Sequence, residues 1–287
     1  MMNIAIPEET WQDYIPVSIV ALLGITYLLL FLGLRRRRRN ISYWHLGSFV
    51  IGTFILAVGM APPMMHWGHD DIRGHMVQHL LIAMYAPIFL VLGIPLKLLL
   101  LSVPPSVARN MTFFLKSRAI HILSHPFTAL LLNVGGMYIL YLTPLYQLSL
   151  GSPLLHGVVH VHFVLAGCLF AWSVIGLEAL PNRPDLYVRL AVIFLSIALH
   201  GCLCKIMYVY ALPDITNTAA GIGAATCKTY SGVMTGVDEG MVAAGQEAAV
   251  MMYYWGDLAE LILLVIVFTL WFFRKQPNVR LRTVFPG

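Results

Sequence analysis

Apolar and polar stretches alternate along this chain with a regular spacing. Long apolar runs, separated by shorter polar connections, cover residues 15–34, 44–61, 75–101, 126–145, 156–178, 187–211 and 248–273. A helix of about 20 apolar residues can cross the roughly 30 Å hydrocarbon layer of a bilayer. We therefore predict an all-α integral membrane protein in which residues 1–287 form a single domain of seven transmembrane helices.

The overall composition agrees with this prediction. Hydrophobic residues make up 59% of the chain and charged residues 11%, with a mean hydropathy of +0.79, which is unlike an ordinary soluble domain. The net charge is +5, but five of the eighteen basic residues form one run, Arg35 to Arg39, directly after the first apolar stretch. Such a run is typical of an orientation signal, so a nucleic-acid partner is not expected. Four cysteines, mostly within apolar segments, do not indicate a disulfide framework.

The basic residues also predict the orientation in the membrane. Fourteen of the eighteen lie in residues 35–39, 102–125, 179–189 and 274–282. Because cytoplasmic connections carry the excess of Lys and Arg, we predict an outside N-terminus and a cytoplasmic C-terminus. The positive charge follows the first apolar run, so we expect that run to remain as an anchor. The outer loop 212–247 is either a lid, a partner surface or a flexible connection.

Histidines concentrate on the predicted outer side of the membrane. His75 with His79, and His156 with His160, are each four residues apart, and positions four apart share one face of a helix. Both pairs stand at the outer end of a span, where polar side chains turn towards neighbouring helices. We therefore predict that the two pairs converge on one metal site. His200 either reaches this site or bonds a backbone carbonyl.

The type of donor favours copper. Imidazole suits copper and zinc, and reduced copper also accepts the thioether of methionine. Met76, Met64 and His66 are therefore additional candidate ligands. The alternative interpretation is that interfacial histidines anchor the chain at the lipid headgroups and that methionines fill space. Similarly, the stretch PPMMHWGHDD around His66 is either a metal-capture loop or a solvated turn.

Three ionisable residues fall deep within apolar runs. They are Lys205 in the sixth run and Asp257 and Glu260 in the seventh. An unpaired charge is costly in a membrane, so we predict a buried charge cluster in which Lys205 pairs with one of the acids. The alternative is that one or both acids bind a metal.

Motifs of several enzyme classes are missing from the sequence. A zinc protease needs HExxH, but here Met76 follows His75. The chain also has no Walker A, GxSxG or dinucleotide-binding motif. We therefore do not predict an enzyme.

Two stretches carry a family resemblance. HMVQHLL at 75–81, with AP at 86–87 and LGIP at 92–95, is similar to the third span of the multi-spanning CtaG-type cytochrome c oxidase assembly factors. His156 and His160, followed by Phe163, resemble the second histidine helix of that family. The resemblance implies a multi-pass protein of a bacterial plasma membrane with a role in the maturation of a haem-copper oxidase, through copper supply to an oxidase subunit at the outer membrane face. Two alternatives remain: a membrane redox protein with a bis-histidine haem, and a metal permease.

Overall fold

The structure is a computed structural model that describes residues 11–177, 184–210 and 239–275 of the chain. The described residues form helices and short turns, with no strand among them. After a 3-10 turn at Trp11–Tyr14, the helices are α1 (Ile15–Arg36), α2 (Tyr43–Gly59), α3 (Pro62–Asp70), α4 (Ile72–Leu92), α5 (Pro95–Ser102), α6 (Pro105–Leu115), α7 (Arg118–Leu123), α8 (Pro126–Leu142), α9 (Leu145–Leu150), α10 (Pro153–Ile175), α11 (Leu186–Tyr210) and α12 (Glu239–Lys275).

Several of these helices have the length and composition of membrane spans. Five qualify directly: α1, α4, α10, α11 and the Val242–Phe273 part of α12. A sixth span results if α2 and α3, which meet at a bend of 50°, are counted together. The predicted fourth span corresponds to α8, a shorter apolar helix. The described part of the chain is therefore all-helical, with five to six candidate membrane spans.

The outer surface of the bundle is apolar, as contact with lipid requires. On α1, Ile19, Leu22 and Leu29 are each more than 60% exposed. A water-soluble helix would carry polar residues on such a face. The exposed leucine and isoleucine side chains of α1 thus indicate a helix at the periphery of a membrane bundle.

Helix α4 lies at the centre of the bundle. In its most apolar segment 78% of the residues are buried, against 22% in α1, and it packs against α2, α10 and α12. Glycines allow the close approach: a Cβ on Gly52 of α2 would lie 2.7 Å from the backbone nitrogen of Leu90. A Cβ on Gly167 of α10 would overlap with the carbonyl oxygen of Ala83. Small residues at such contacts are typical of membrane helix pairs.

The third predicted span, 75–101, is divided in the structure. Helix α4 ends at Leu92, Ile94 adopts a left-handed conformation with φ of 49°, and α5 begins at Pro95. The division arises because proline disfavours a helical conformation in the residue before it. Pro87, by contrast, is accommodated within α4 directly after a π-helical turn at Leu80–Tyr85. Turns of this kind often accompany functional sites, and this one follows His79 immediately.

The predicted loop boundaries also differ from those in the structure at two places. Residues 62–70, predicted as part of an outer connection, form helix α3. Helix α12 begins at Glu239, nine residues before the predicted start of the last span. Most of the predicted outer loop 212–247 lies outside the described residues.

Candidate metal centre

Four histidine rings from two helices meet beside the centre of the bundle. His75 and His79 come from α4, and His156 and His160 come from α10. The ring centroids of His75 and His156 are 6.3 Å apart, those of His75 and His79 are 6.0 Å apart, and those of His156 and His160 are 4.3 Å apart. The two pairs converge because each presents one face of its helix to the other helix. We call these four residues the histidine cluster.

The histidine cluster is buried, and several of its ring nitrogens lack a partner. His75 is 1% exposed, and His79 and His160 are each 4% exposed. Within the described part of the chain, both ring nitrogens of His75, Nε2 of His79 and Nδ1 of His156 form no hydrogen bond. Buried polar groups are nearly always satisfied, so four unpartnered nitrogens in one cluster indicate a place for a ligand. Neutral imidazole nitrogens are good donors for copper or zinc.

Two tyrosines that sequence reasoning missed complete one wall of the histidine cluster. The ring of Tyr146, from α9, lies 4.8 Å from that of His75. The ring of Tyr141, from α8, lies 5.9 Å from that of His79. The Tyr141 hydroxyl is buried and has no hydrogen-bond partner in the described ranges. The only sequence signal was a tyrosine at the predicted outer end of a span, where tyrosine is common in any membrane protein.

Helix α3 places further histidines beside the cluster. The ring centroids of His69 and His156 are 6.3 Å apart, and His69 is otherwise exposed. His66 is half-buried, and its Nε2 atom has no hydrogen-bond partner among the residues described. The stretch around His66 is thus a helix, although a capture loop or a turn was expected. Helix α3 thus connects the histidine cluster with the protein surface.

The two methionine candidates are arranged differently. Met76 is fully buried, but it follows His75 directly and so points about 100° away around the helix. Met64 is half-buried on α3.

His162, on the same helix as His156 and His160, is separate from the cluster. Its Nε2 atom lies 3.1 Å from the Leu132 carbonyl oxygen in the π-helical turn Leu131–Gly135 of α8. It therefore offers a matched control for the cluster.

A second polar group lies between α11 and α12. His200 Nδ1 is 3.8 Å from Asp257 Oδ1, and Ser196 donates a short hydrogen bond to Glu260. One donor atom from each of His200, Asp257 and Glu260 lies within 4.8 Å of the others. We call these three residues the inner triad.

The prediction that Lys205 pairs with Asp257 or Glu260 was wrong. Lys205 is exposed, and no ion pair in the described residues joins it to Asp257 or Glu260. The position occupied by His200 faces α12, whereas Lys205 lies five residues later and about 140° further around α11. A long side chain in that position can extend towards the membrane surface. His200 was predicted either to reach the site of the four other histidines or to bond a carbonyl, and the structure places its Nδ1 atom beside Asp257.

An ion-pair network holds the start of α4. Arg73 contacts Asp71 at 2.6 Å and Glu247 of α12 at 3.0 Å. The hydrogen bonds from Arg73 to Asp71 lower the pKa of that carboxyl, which keeps it charged. The network ties α4 to α12 two residues before His75.

Part of this chain is similar to mycobacterial proteins. An uncharacterized protein of Mycobacterium bovis is 31% identical over 186 residues, which is 62% of this chain. An uncharacterized protein of Mycobacterium leprae is 29% identical over the same length. The chain spans 28% of the length of each of these relatives. No solved structure matches it.

A family model covers nearly the whole membrane bundle. It is described as the cytochrome c oxidase caa3 assembly factor, and it matches residues 25–274, which include both histidine helices and the inner triad. The protein therefore belongs to the cytochrome c oxidase caa3 assembly factor family.

Proposed function

We propose that this protein binds copper at the histidine cluster and delivers it to a subunit of a haem-copper cytochrome c oxidase. The observation that carries the proposal is the meeting of four buried imidazoles whose nitrogens largely lack partners in the described residues. Membership of an oxidase assembly family supports the choice of client. The protein acts as a chaperone and catalyses no reaction of its own.

The charge of the site favours reduced copper. Neutral imidazoles bring no negative charge, so a bound ion keeps its full charge in a poorly solvated region. Cu⁺ carries half the charge of Zn²⁺ and also accepts soft donors. His75, His79, His156 and His160 would hold the ion, with Met76 and Met64 as secondary donors. Zn²⁺ would suit a site with carboxylates better.

Transfer of the ion to a client requires a path out of the cluster. His69 provides its first step, because its ring contacts His156 while its other side is exposed. An ion could pass from the cluster to His69 by exchange of one imidazole for another. His66, with an unpartnered Nε2 in the part of the chain described here, is a further donor on the same helix.

The proposed orientation puts the histidine cluster on the outer side of a bacterial plasma membrane. Seven spans result if α2 with α3 forms the second and α8 forms the fourth. The basic run Arg35 to Arg39 begins in the last turn of α1, is exposed from Arg36 onwards, and supports a cytoplasmic position for that end. The chain then crosses once through α2 before it reaches His75 at the start of α4. His75 therefore lies on the side opposite to the basic run.

Oxidase maturation in cells tests this function. In a strain whose own copy is deleted, we expect the His75→Ala/His79→Ala protein to leave the oxidase with little copper and low activity. His162→Gln should restore normal oxidase, because its amide can still donate to the Leu132 carbonyl. Membrane levels of both variants are measured by immunoblotting. A normal, copper-loaded oxidase in cells with the double variant would contradict the proposal.

Copper binding should weaken in acid. A histidine binds copper through a neutral ring nitrogen, so protons compete with the metal only where the ring can be protonated. His75, His79 and His160 are buried, and burial disfavours the charged ring. Affinity should therefore stay constant from about pH 8 down to at least the ordinary histidine pKa of about 6.5 and fall only in more acidic solution, by up to about tenfold per pH unit for each ligand that is protonated. A Cu⁺ competition titration of the purified protein between about pH 4 and pH 8 measures this. A fall in affinity that is already complete above about pH 7 would contradict binding by these buried histidines.

A further inference from the structure

We infer that the inner triad of His200, Asp257 and Glu260 is a second metal site, which takes Zn²⁺. The inference goes beyond the proposed copper delivery and does not depend on it. It rests on the arrangement of donor atoms between α11 and α12.

The free donor atoms of the inner triad are those that a metal would use. In the described part of the structure, His200 Nδ1, Asp257 Oδ1 and Glu260 Oε2 have no hydrogen-bond partner. His200 is completely buried and Glu260 is 4% exposed, so water does not satisfy these atoms readily. His200 Nδ1 and Asp257 Oδ1 are 3.8 Å apart, which is too far for a hydrogen bond, and in the residues described Glu260 Oε2 has no hydrogen-bond partner either. Polar groups left in this state inside a protein are costly. A shared cation satisfies all three atoms together.

The remaining polar atoms of the inner triad hold the donors in position. The Ser196 hydroxyl donates to Glu260 Oε1, which leaves Oε2 directed at the site. Cys204 Sγ lies 3.9 Å from His200 Nε2. If Nε2 carries the proton and donates to this sulfur, the lone pair of Nδ1 is free for a metal. Orienting contacts of this kind are general around metal-binding histidines and carboxylates.

A glycine on α12 makes room for the imidazole. A Cβ built on Gly256 would overlap with Cε1 of His200 and lie 2.9 Å from each of its ring nitrogens. Any side chain at this position would displace the ring from Asp257, the next residue. The inner triad therefore requires a residue without a side chain at position 256.

Charge and donor type select the class of ion. Two carboxylates and a neutral imidazole together balance a divalent cation, whereas Cu⁺ would leave one negative charge in a buried site. Zinc binds nitrogen and oxygen at about 2.0–2.2 Å, which puts neighbouring donors roughly 3.3 Å apart. The donors of the inner triad, within 4.8 Å of each other, need to close by roughly an ångström. Asp257 is 31% exposed and can make this movement most easily.

Zinc binding to the full-length protein in detergent tests the inference. The background is His75→Ala/His79→Ala, which removes half of the histidine cluster. We expect this protein to retain one Zn²⁺ per chain after gel filtration. Adding Asp257→Asn or Glu260→Gln should weaken zinc binding at least about tenfold. Gly256→Ala should do the same through displacement of His200.

Glu247→Gln is the matched control, since Glu247 is an acid of α12 that pairs with Arg73 instead. It should leave zinc binding unchanged. Co²⁺, added in place of zinc, should give visible absorption bands in the background protein that Asp257→Asn removes. Asp257 is partly exposed, so its variant should fold even if Glu260→Gln does not. Unchanged zinc and cobalt binding in Asp257→Asn would overturn the inference, whatever the outcome for copper at the histidine cluster.

Discussion

Replacing His75 and His79 together by alanine should lower the Cu⁺ affinity of the purified protein by at least about a hundredfold. Loss of a residue that merely orients a ligand typically costs 10–100-fold in metal affinity, and this change removes two proposed ligands. Both side chains are buried, so alanine leaves the other two imidazoles without a complete site. Competition with a chromophoric Cu⁺ chelator measures the affinity.

His162→Gln serves as the control for this variant. It changes a histidine of α10 that contacts the Leu132 carbonyl and lies apart from the histidine cluster. Its Cu⁺ affinity should stay within about threefold of the unmodified protein, since no proposed ligand is lost. An equal loss in both variants would indicate general damage to the bundle. No loss in the double variant would remove His75 and His79 from the site.

Gly167→Ala should destabilise the protein and weaken copper binding at the same time. A methyl group on Gly167 would overlap with the Ala83 carbonyl oxygen and lie 2.8 Å from Cγ of Pro87. Neither a backbone carbonyl nor a proline ring can rotate away, so α10 must move from α4. Overpacking of this kind costs about 1–3 kcal/mol. Because the two helices each carry half of the histidine cluster, their separation also spreads the proposed ligands.

Gly157→Ala provides the comparison on the same helix. A Cβ at Gly157 meets nothing within 4 Å, and the residue is exposed. Alanine in a helix interior is more favourable than glycine by about 0.5–1 kcal/mol, so this variant should be as stable as the unmodified protein or slightly more stable. Both variants are heated in detergent, and the temperature at which half of each protein is lost from solution is compared. Equal values for Gly167→Ala and Gly157→Ala would contradict the described packing of α10 on α4.

The histidine pairs could be predicted from the sequence because helical periodicity alone determines which residues share a face. Spacing of four places His75 with His79, and His156 with His160, before any tertiary structure is known. Their meeting then required only that polar groups of a membrane bundle turn inward. Tyr141 and Tyr146 were missed because their contact with the cluster depends on how α8 and α9 pack, and no sequence spacing encodes that.

The partner of the buried acids was missed for a related reason. Asp257 and Glu260 were identified as needing a partner, but charge alone favoured Lys205 over His200. The rotation of α11 about its axis decides between them, and that rotation follows from packing contacts such as Gly256 against His200. The predicted ends of the helices were similarly inaccurate. The end of α4 at Leu92 depends on the left-handed Ile94 before Pro95, and an apolar run hides such a break.

Copper content of the purified protein, measured together with a visible spectrum on the same sample, tests the central claim most directly. Protein from copper-replete membranes should carry nearly stoichiometric copper, show no Soret band, and lose the copper in the His75→Ala/His79→Ala variant. Equal copper in both proteins, or its absence from both, would contradict a copper site at the histidine cluster. A Soret band that disappears in the variant would instead assign these histidines to haem.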